Sequence, residues 1–179
     1  VDCEEHFCVP RTALVQECLE QLIGHIEKGG HYFTIWAPRQ TGKTWLMRQV
    51  KARLEKEYED RFLVGAMSMQ GLIFSDEAVA DQFLPKVPRL IEDSLQEQIP
   101  APATWEDFSD IFHKTRGHFS KPVLLFIDEF DSLPFPVIDR LVGMFRDMYM
   151  SRSNFLLHGL ALIGVRAVLG VGSDRGSPF

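Results

Sequence analysis

The sequence predicts an α/β domain in which a parallel sheet carries helices on both faces. Short apolar runs suited to buried strands alternate along the chain with segments whose apolar residues recur at helical spacing. Neighbouring parallel strands need such helical crossovers between them. With 179 residues, the chain has room for a single domain with a sizeable core. The expected architecture is therefore a three-layer α/β/α domain.

The predicted elements divide the domain into five consecutive parts. They are an N-terminal segment with a helix (1–30), a strand, loop and helix (31–58), a second strand with helices (59–120), an acidic strand with a helix (121–152), and a last strand with a tail (153–179). Helical spacing extends over 12–28, 44–58, 75–98, 104–117 and 135–151, with Pro85 and Pro88 as candidate breaks. No internal repeat is apparent.

The first chemical motif is a predicted phosphate-binding loop between a strand and a helix. A small residue is followed by four variable residues and then by Gly-Lys-Thr. Ala37 stands where the strict pattern has Gly, and a methyl group can be accommodated at the exit of a strand. The predicted nucleotide-binding residues are Ala37, Pro38, Arg39, Gln40, Thr41, Gly42, Lys43, Thr44 and Trp45.

Each part of this loop has an expected role. Backbone N–H groups of the loop and of the first helical turn surround a β-phosphate, where the helix dipole also favours an anion. Gly42 lets the backbone approach without a Cβ. Lys43 is expected to reach the β- and γ-phosphates, and the Thr44 hydroxyl is expected to bind Mg²⁺. Because no Asn-Lys-x-Asp segment for guanine occurs, the expected ligands are ATP and Mg²⁺.

The second motif is an apolar run, 123–127, that ends in two carboxylates. The run predicts a central parallel strand, and ligands bind at the carboxyl ends of such strands. Asp128 is expected to hold the Mg²⁺ shell. Glu129 lies one residue further and is expected to orient and deprotonate the water that attacks the γ-phosphate. Asp131 is interpreted as a helix-cap or loop residue.

The third motif is another strand-like run, 157–165, which is followed by Arg166. A guanidinium suits phosphate geometry, so Arg166 is the candidate sensor of the γ-phosphate. A surface arginine in a loop is the alternative.

Composition limits the function classes. The formal net charge of −6 argues against a large nonspecific nucleic-acid surface. No signal peptide or membrane-spanning run is evident. The cysteines are odd in number and cluster near the start, at Cys3, Cys8 and Cys18, so free thiols and a cytoplasmic location are expected. The spacing of Cys3, His6 and Cys8 matches no common zinc pattern.

Three of these segments together resemble the AAA-like, STAND-related ATPases of bacteria and archaea, which are P-loop NTPases of the ASCE type. The segments are 38–44, 126–131 and 162–166, and the stretch 6–11 is also similar to that family. The resemblance implies a sheet in the order 5-1-4-3-2, with base contacts from Phe7, Val9 and Pro10. It also implies that the chain is truncated before strand five and the helical lid. The acidic residue that commonly follows Gly-Val-Arg is absent from 167–170.

These observations predict a Mg-dependent ATPase domain that couples ATP turnover to an effector or remodelling activity located elsewhere in a longer protein. Glu129, Lys43 and Arg166 are the expected catalytic residues. The alternative is a nucleotide-dependent signalling switch or binding module with negligible hydrolysis. Low activity is expected of the fragment itself, and homo-oligomerisation is an expectation for the full-length protein. The sequence does not identify the effector or a protein partner.

Overall fold

The computed structural model describes residues 10–75 and 80–165. Within these ranges, the strands are β1 (Tyr32–Trp36), β2 (Leu63–Ser68), β3 (Val123–Asp128) and β4 (Leu157–Gly164). The α-helices are α1 (Thr12–Ile23), α2 (Lys43–Tyr58), α3 (Val87–Leu95), α4 (Trp105–Asp110) and α5 (Phe135–Met150). Short 3₁₀ turns cover Leu84–Lys86, Phe130–Ser132 and Arg152–Asn154.

The described strands form one parallel sheet in the order β1-β4-β3-β2. The sequence-based expectation of a further strand between the phosphate-loop strand and the acidic strand is confirmed, because β4 lies between β1 and β3. Trp36 is in register with Gly164, and Ser68 is in register with Asp128. The carboxyl ends of all four strands therefore meet at one edge of the sheet, which is where the predicted site residues within the described ranges lie.

Two apolar layers cover the two faces of this sheet, as a three-layer α/β/α architecture requires. Helices α1 and α2 pack on one face; that layer includes Leu22, Val50, Leu54, Phe126 and Ile163. Helices α3, α4 and α5 pack on the other face; that layer includes Ile91, Phe112, Leu125, Phe145 and Leu160. Alternate residues of β3 and β4 enter opposite layers, and both strands are buried along their whole length. This pattern confirms β3 as a central strand.

Helix α1 ends earlier than the helical spacing predicts. Residues 12–28 were expected to be helical, but Gly24 has φ +49° and leaves the helical region. Its N–H still bonds to the carbonyl of Glu20, and a bridge between His25 and Gly29 then turns the chain. The turn brings the chain to Gly30, where an added Cβ would lie 1.8 Å from the Leu22 carbonyl oxygen, so only glycine fits this close approach.

The helix expected over 75–98 is also shorter than predicted. Residues 76–79 lie outside the described ranges, and the α-helical part is Val87–Leu95. Pro85 lies in the preceding 3₁₀ turn and Pro88 in the first turn of α3, which is where proline is tolerated. Gln96 ends α3 in a left-handed conformation with φ +58°.

The helix expected over 104–117 begins as predicted and stops early. The Thr104 hydroxyl accepts from the N–H of Asp107, and the Asp107 carboxylate accepts from the N–H of Thr104, which forms a capping box. Helix α4 ends at Asp110. The chain then turns at Gly117, where an added Cβ would come within 2.3 Å of the carbonyl oxygen of His113.

The longest described helices, α2 and α5, have 16 residues each, whereas a helix that crosses a bilayer needs about 20 consecutive apolar residues. Within residues 10–75 and 80–165, we find no helix with the length and apolar character of a membrane span.

Candidate functional site

The connection from β1 to α2 is a tight loop, 37–42, at the carboxyl edge of the sheet. Gln40 and Gly42 both have positive φ, at +61° and +81°. Gly42 is the cap residue of α2, and Lys43 is the first residue of that helix. The N–H groups of a first helical turn have no intrahelical partners and favour an anion. The local geometry is a strand-loop-helix unit in which the first N–H groups of α2 are suited to an anion.

The Lys43 ammonium closes this loop. Its Nζ donates to the carbonyl oxygens of Ala37 at 2.6 Å and of Pro38 at 2.8 Å. The Thr41 hydroxyl donates to the same Pro38 oxygen at 2.8 Å. The side chain is half-buried within its own loop. Of the other predicted binding residues, Pro38, Arg39, Gln40, Gly42 and Thr44 are exposed, and Ala37, Thr41 and Trp45 are half-buried.

The two predicted magnesium ligands are in direct contact. The Thr44 hydroxyl donates to Oδ2 of Asp128 at 2.9 Å. The other carboxylate oxygen, Oδ1, accepts the backbone N–H of Glu129 at 2.9 Å. Asp128 is buried, with 7% of its surface exposed. Helix α2 and strand β3, which are distant in sequence, thus present a hydroxyl and a carboxylate side by side.

These donors suit a hard divalent cation. Mg²⁺ prefers oxygen ligands and usually binds through one or two protein groups, with water and phosphate oxygens completing its shell. Among the described residues, no group of three or more His, Cys, Asp and Glu side chains could hold a metal ion by itself. A hydroxyl beside the predicted phosphate-binding loop, together with one carboxylate at the end of β3, is the donor set expected for Mg²⁺ held with a nucleotide.

Glu129 has an unusual backbone for a non-glycine residue. Its φ of +54° and ψ of +37° are left-handed, a conformation that costs about 1–2 kcal/mol for an L-residue with a side chain. Its carbonyl accepts the N–H of Ser132 at 2.9 Å, which begins the 3₁₀ turn Phe130–Ser132. Such strained backbones concentrate at functional sites. The side chain is half-buried beside Asp128 at the edge of the sheet.

Asp131 lies in the loop that connects β3 to α5. The N-terminal cap of α5 is Pro134, so Asp131 does not cap that helix. Its carboxylate packs against the last residue of β4: a Cβ built on Gly164 would lie 2.7 Å from Oδ1 of Asp131. The loop after β3 is thereby held against the end of β4.

Some predicted residues lie outside the described ranges. They are the sensor candidate Arg166 and the base-contact candidates Phe7 and Val9. Strand β4 ends at Gly164, two residues before Arg166. Pro10, the third base-contact candidate, is described and exposed.

A cavity of about 500 Å³ adjoins the loop and lies between α1 and β1. Its wall includes Arg11, Leu14, Phe33, Trp36 and Lys43. The sequence reasoning did not select Arg11 or Trp36 as site residues. A signal for Trp36 was present, because it directly precedes the loop. No spacing rule linked Arg11 to the loop, since their contact arises only from the packing of α1 against α2 and β4.

Comparison with known proteins gives matches among solved structures. No family model matches the chain, and no curated protein matches it in sequence. A chain in the structure of Drosophila ORC bound to poly(dA/dT) DNA and Cdc6 is similar, with a TM-score of 0.54 and 11% identity over 87% of this chain and 24% of that chain. A chain in the structure of Drosophila ORC bound to DNA has a TM-score of 0.54 and 12% identity, and the match covers 87% of this chain and 25% of that chain.

The chain therefore shares its fold, a parallel sheet with helices on both faces, with these two ORC chains. The strand order and this likeness agree on the architecture, and the chain spans about a quarter of the length of the solved chains it matches. At these identities the likeness concerns the fold alone. The AAA-like, STAND-related family stays a prediction from the sequence. Within this fold, the hydrogen bond from Thr44 to Asp128 joins the two segments that carry the predicted site residues Lys43 and Glu129.

Proposed function

We propose that this chain is an ATPase domain that binds MgATP and hydrolyses it, and that it couples turnover to an effector activity located elsewhere in a longer protein. The observation that carries this proposal is the 2.9 Å hydrogen bond between Thr44 and Asp128. It joins the phosphate-loop helix to the acidic strand, as a shared magnesium and nucleotide site requires.

Nucleotide binding uses groups that are already at the loop. The N–H groups of the first turn of α2 receive phosphate oxygens, and Gly42 keeps that approach open. The Lys43 ammonium exchanges the carbonyls of Ala37 and Pro38 for phosphate oxygens, which are charged and therefore stronger acceptors. Thr44 and Asp128 would hold Mg²⁺, which would supply positive charge beside the transferring phosphate.

Hydrolysis uses Glu129 as the general base. Glu129 accepts a proton from the attacking water, and that water's oxygen forms a bond to the γ-phosphorus. The bond between the γ-phosphorus and the bridging oxygen breaks, and its electron pair leaves with ADP. The backbone N–H of Glu129 donates to Asp128 Oδ1, which orients the carboxylate of the proposed magnesium ligand next to the base. Arg166 remains the sensor candidate from the sequence.

A nucleotide-dependent switch with negligible turnover is the second candidate. The observation that favours it is the closed loop, in which Lys43 is already bonded to two carbonyls. Nucleotide binding would replace the bonds of Lys43 to these carbonyls with bonds to phosphate oxygens. The nucleotide-free and nucleotide-bound loops would then be the two states that a switch needs. Single-turnover hydrolysis separates the candidates: an ATPase converts bound ATP to ADP within the assay, and a switch retains it.

For binding partners we propose only general classes. The two ORC chains are described as bound to DNA. We do not extend DNA binding to this segment, because its net charge is −6. Homo-oligomerisation of the longer protein and an effector partner stay proposals from the sequence.

Calorimetric titration of MgATP into the wild type and Lys43→Ala tests the site. The variant is expected to lose binding, since an ammonium directed at the β- and γ-phosphates is removed. Lys56→Ala is the matched control, because Lys56 is an exposed lysine in the last turn of the same helix. Equal affinities for the wild type and Lys43→Ala would refute the site assignment.

A further inference from the structure

Arg11 places a second cation at the phosphate-binding loop. It is the cap residue of α1, and its carbonyl accepts the N–H of Val15 at 2.9 Å, which fixes its backbone at the start of the helix. A Cβ built on Gly42 would lie 3.7 Å from Nη1 of Arg11 and 3.8 Å from both Cζ and Nη2. The flat guanidinium therefore covers the backbone of Gly42, although the two residues are far apart in sequence.

Arg11 and Lys43 line the same cavity of about 500 Å³. This volume is within the usual range for a small-molecule site. Glu17 is the only carboxylate among the described residues of its wall. Within the described part of the chain, the Arg11 side chain makes no ion pair or hydrogen bond, whereas Arg53 and Arg116 are each paired with a carboxylate. Its donors are therefore available to an anion at the loop.

The chemistry of the two cations is complementary. Lys43 is a point charge within the loop, and Arg11 offers a planar fork that can bind two phosphate oxygens at once. Gly42 contributes to this arrangement because it has no side chain between the guanidinium and the loop backbone. The part of a nucleotide that lies at Gly42 is its phosphate chain, since the loop and the first turn of α2 form the anion site.

We propose that Arg11 binds the phosphate chain of the nucleotide, as a cation supplied by the start of α1. This inference rests on the proposed function. Arg11 then strengthens the binding of nucleoside di- and triphosphates and not that of the free nucleoside. Loading of the loop is also linked to the position of α1, which carries the guanidinium.

The test measures the affinities of MgATP, MgADP and adenosine for the wild type, Arg11→Ala and Arg11→Lys. We expect Arg11→Ala to weaken MgATP and MgADP by about tenfold or more, as for the loss of a charge-assisted contact. Adenosine affinity should not change. Arg11→Lys should recover part of the loss, because it restores the charge and not the fork.

Arg48→Ala is the matched control, since Arg48 is an exposed arginine of α2 that is absent from the described cavity wall. Its affinity for MgATP should equal that of the wild type. Melting temperatures without ligand should be alike for all variants, because both arginines are exposed.

The outcomes separate the inference from the proposed function. A wild type that does not bind MgATP would overturn both. A wild type that binds, together with an unchanged Arg11→Ala, would overturn the role of Arg11 alone. Equal losses for MgATP and adenosine would also overturn it, because Arg11 would then act on the base or on the fold and not on the phosphates.

Discussion

The carboxylate of Asp131 packs against Gly164, so that the loop after β3 rests on the end of β4. A Cβ on Gly164 would lie 2.7 Å from Oδ1 and 3.1 Å from Cγ of Asp131. Gly164 is also in register with Trp36, the last residue before the predicted phosphate-binding loop. One residue without a side chain is therefore in contact with both halves of the candidate site.

Gly164→Ala should displace Asp131 and lower both stability and turnover. The new methyl overlaps the carboxylate, and an overpacked site of this kind costs about 1–3 kcal/mol. Glu129 is two residues from Asp131, so its position should change as well. Chemical denaturation and ATPase assays measure the two effects. Gly143→Ala is the control, because no described atom lies within 4 Å of its added Cβ and alanine favours the helix. Equal stabilities for the two variants would contradict the packing argument.

Thr44→Val should weaken the magnesium dependence of ATP binding. Valine keeps the shape of threonine and removes the hydroxyl that donates to Asp128. The buried carboxylate then loses a hydrogen bond, which should also lower the unfolding free energy by about 1–2 kcal/mol. Titration of Mg²⁺ at fixed ATP measures the first effect. Thr44→Ser retains the hydroxyl and should behave like the wild type. A normal magnesium requirement in Thr44→Val would remove Thr44 from the metal site.

Glu129→Gln should keep ATP binding and slow hydrolysis by about a hundredfold or more, as expected for the loss of a general base. The amide is nearly the same size and cannot accept the proton. Asp128→Asn should instead impair the magnesium response. Rapid-quench measurement of bound ATP reports the chemical step directly. Glu106→Gln, at an exposed position in α4, is the control. Turnover that is unchanged in Glu129→Gln would direct the search for the base to Asp131.

His158 should make the fold less stable in mild acid. Its Nε2 donates to the Ile23 carbonyl at 2.8 Å, and its ring packs on Phe62 with centroids 4.7 Å apart. Burial lowers the pKa of His158 below its ordinary value of 6.5, and Arg152 lowers it further, against the opposing effect of the Ile23 hydrogen bond.

Because the unfolded chain takes up this proton more readily, the unfolding free energy should fall as the pH falls below 6.5. The stabilising contribution should be fully present above that pH. Denaturation curves between about pH 5 and pH 8 measure this slope. His158→Gln should reduce the slope, and His31→Gln, at an exposed position, should leave it unchanged. A similar slope in His158→Gln would assign the effect to other groups.

The sequence was most informative where the residues of a motif are consecutive in the chain. The loop ending in Lys43 and Thr44 and the strand ending in Asp128 are short runs, and each carries its strand or helix signal beside it. Their contact follows from the parallel sheet, because the carboxyl ends of its strands share one edge. The strand order could be predicted only through the family resemblance, since spacing alone does not decide which strands are neighbours.

The sequence was less informative where the structure depends on close approach between distant segments. Helix α1 ends at Gly24 because the chain must turn towards Gly30, which lies against Leu22. Neither the position of Arg11 over Gly42 nor the left-handed backbone of Glu129 follows from spacing. The first depends on the packing of α1, and the second belongs to the 3₁₀ turn that follows β3. The role of Arg166 stays a prediction, because this residue is outside the described ranges.

In the loop without nucleotide, the Lys43 ammonium already donates two hydrogen bonds, to the carbonyl oxygens of Ala37 and Pro38. An affinity for nucleotide is therefore a difference between two bonded states and not a sum of new contacts. The Lys43→Ala substitution removes hydrogen bonds from both the nucleotide-free loop and the nucleotide-bound loop. The affinity lost in Lys43→Ala will accordingly understate the strength of the lysine–phosphate contact, by the amount that the resting loop gains from the same side chain.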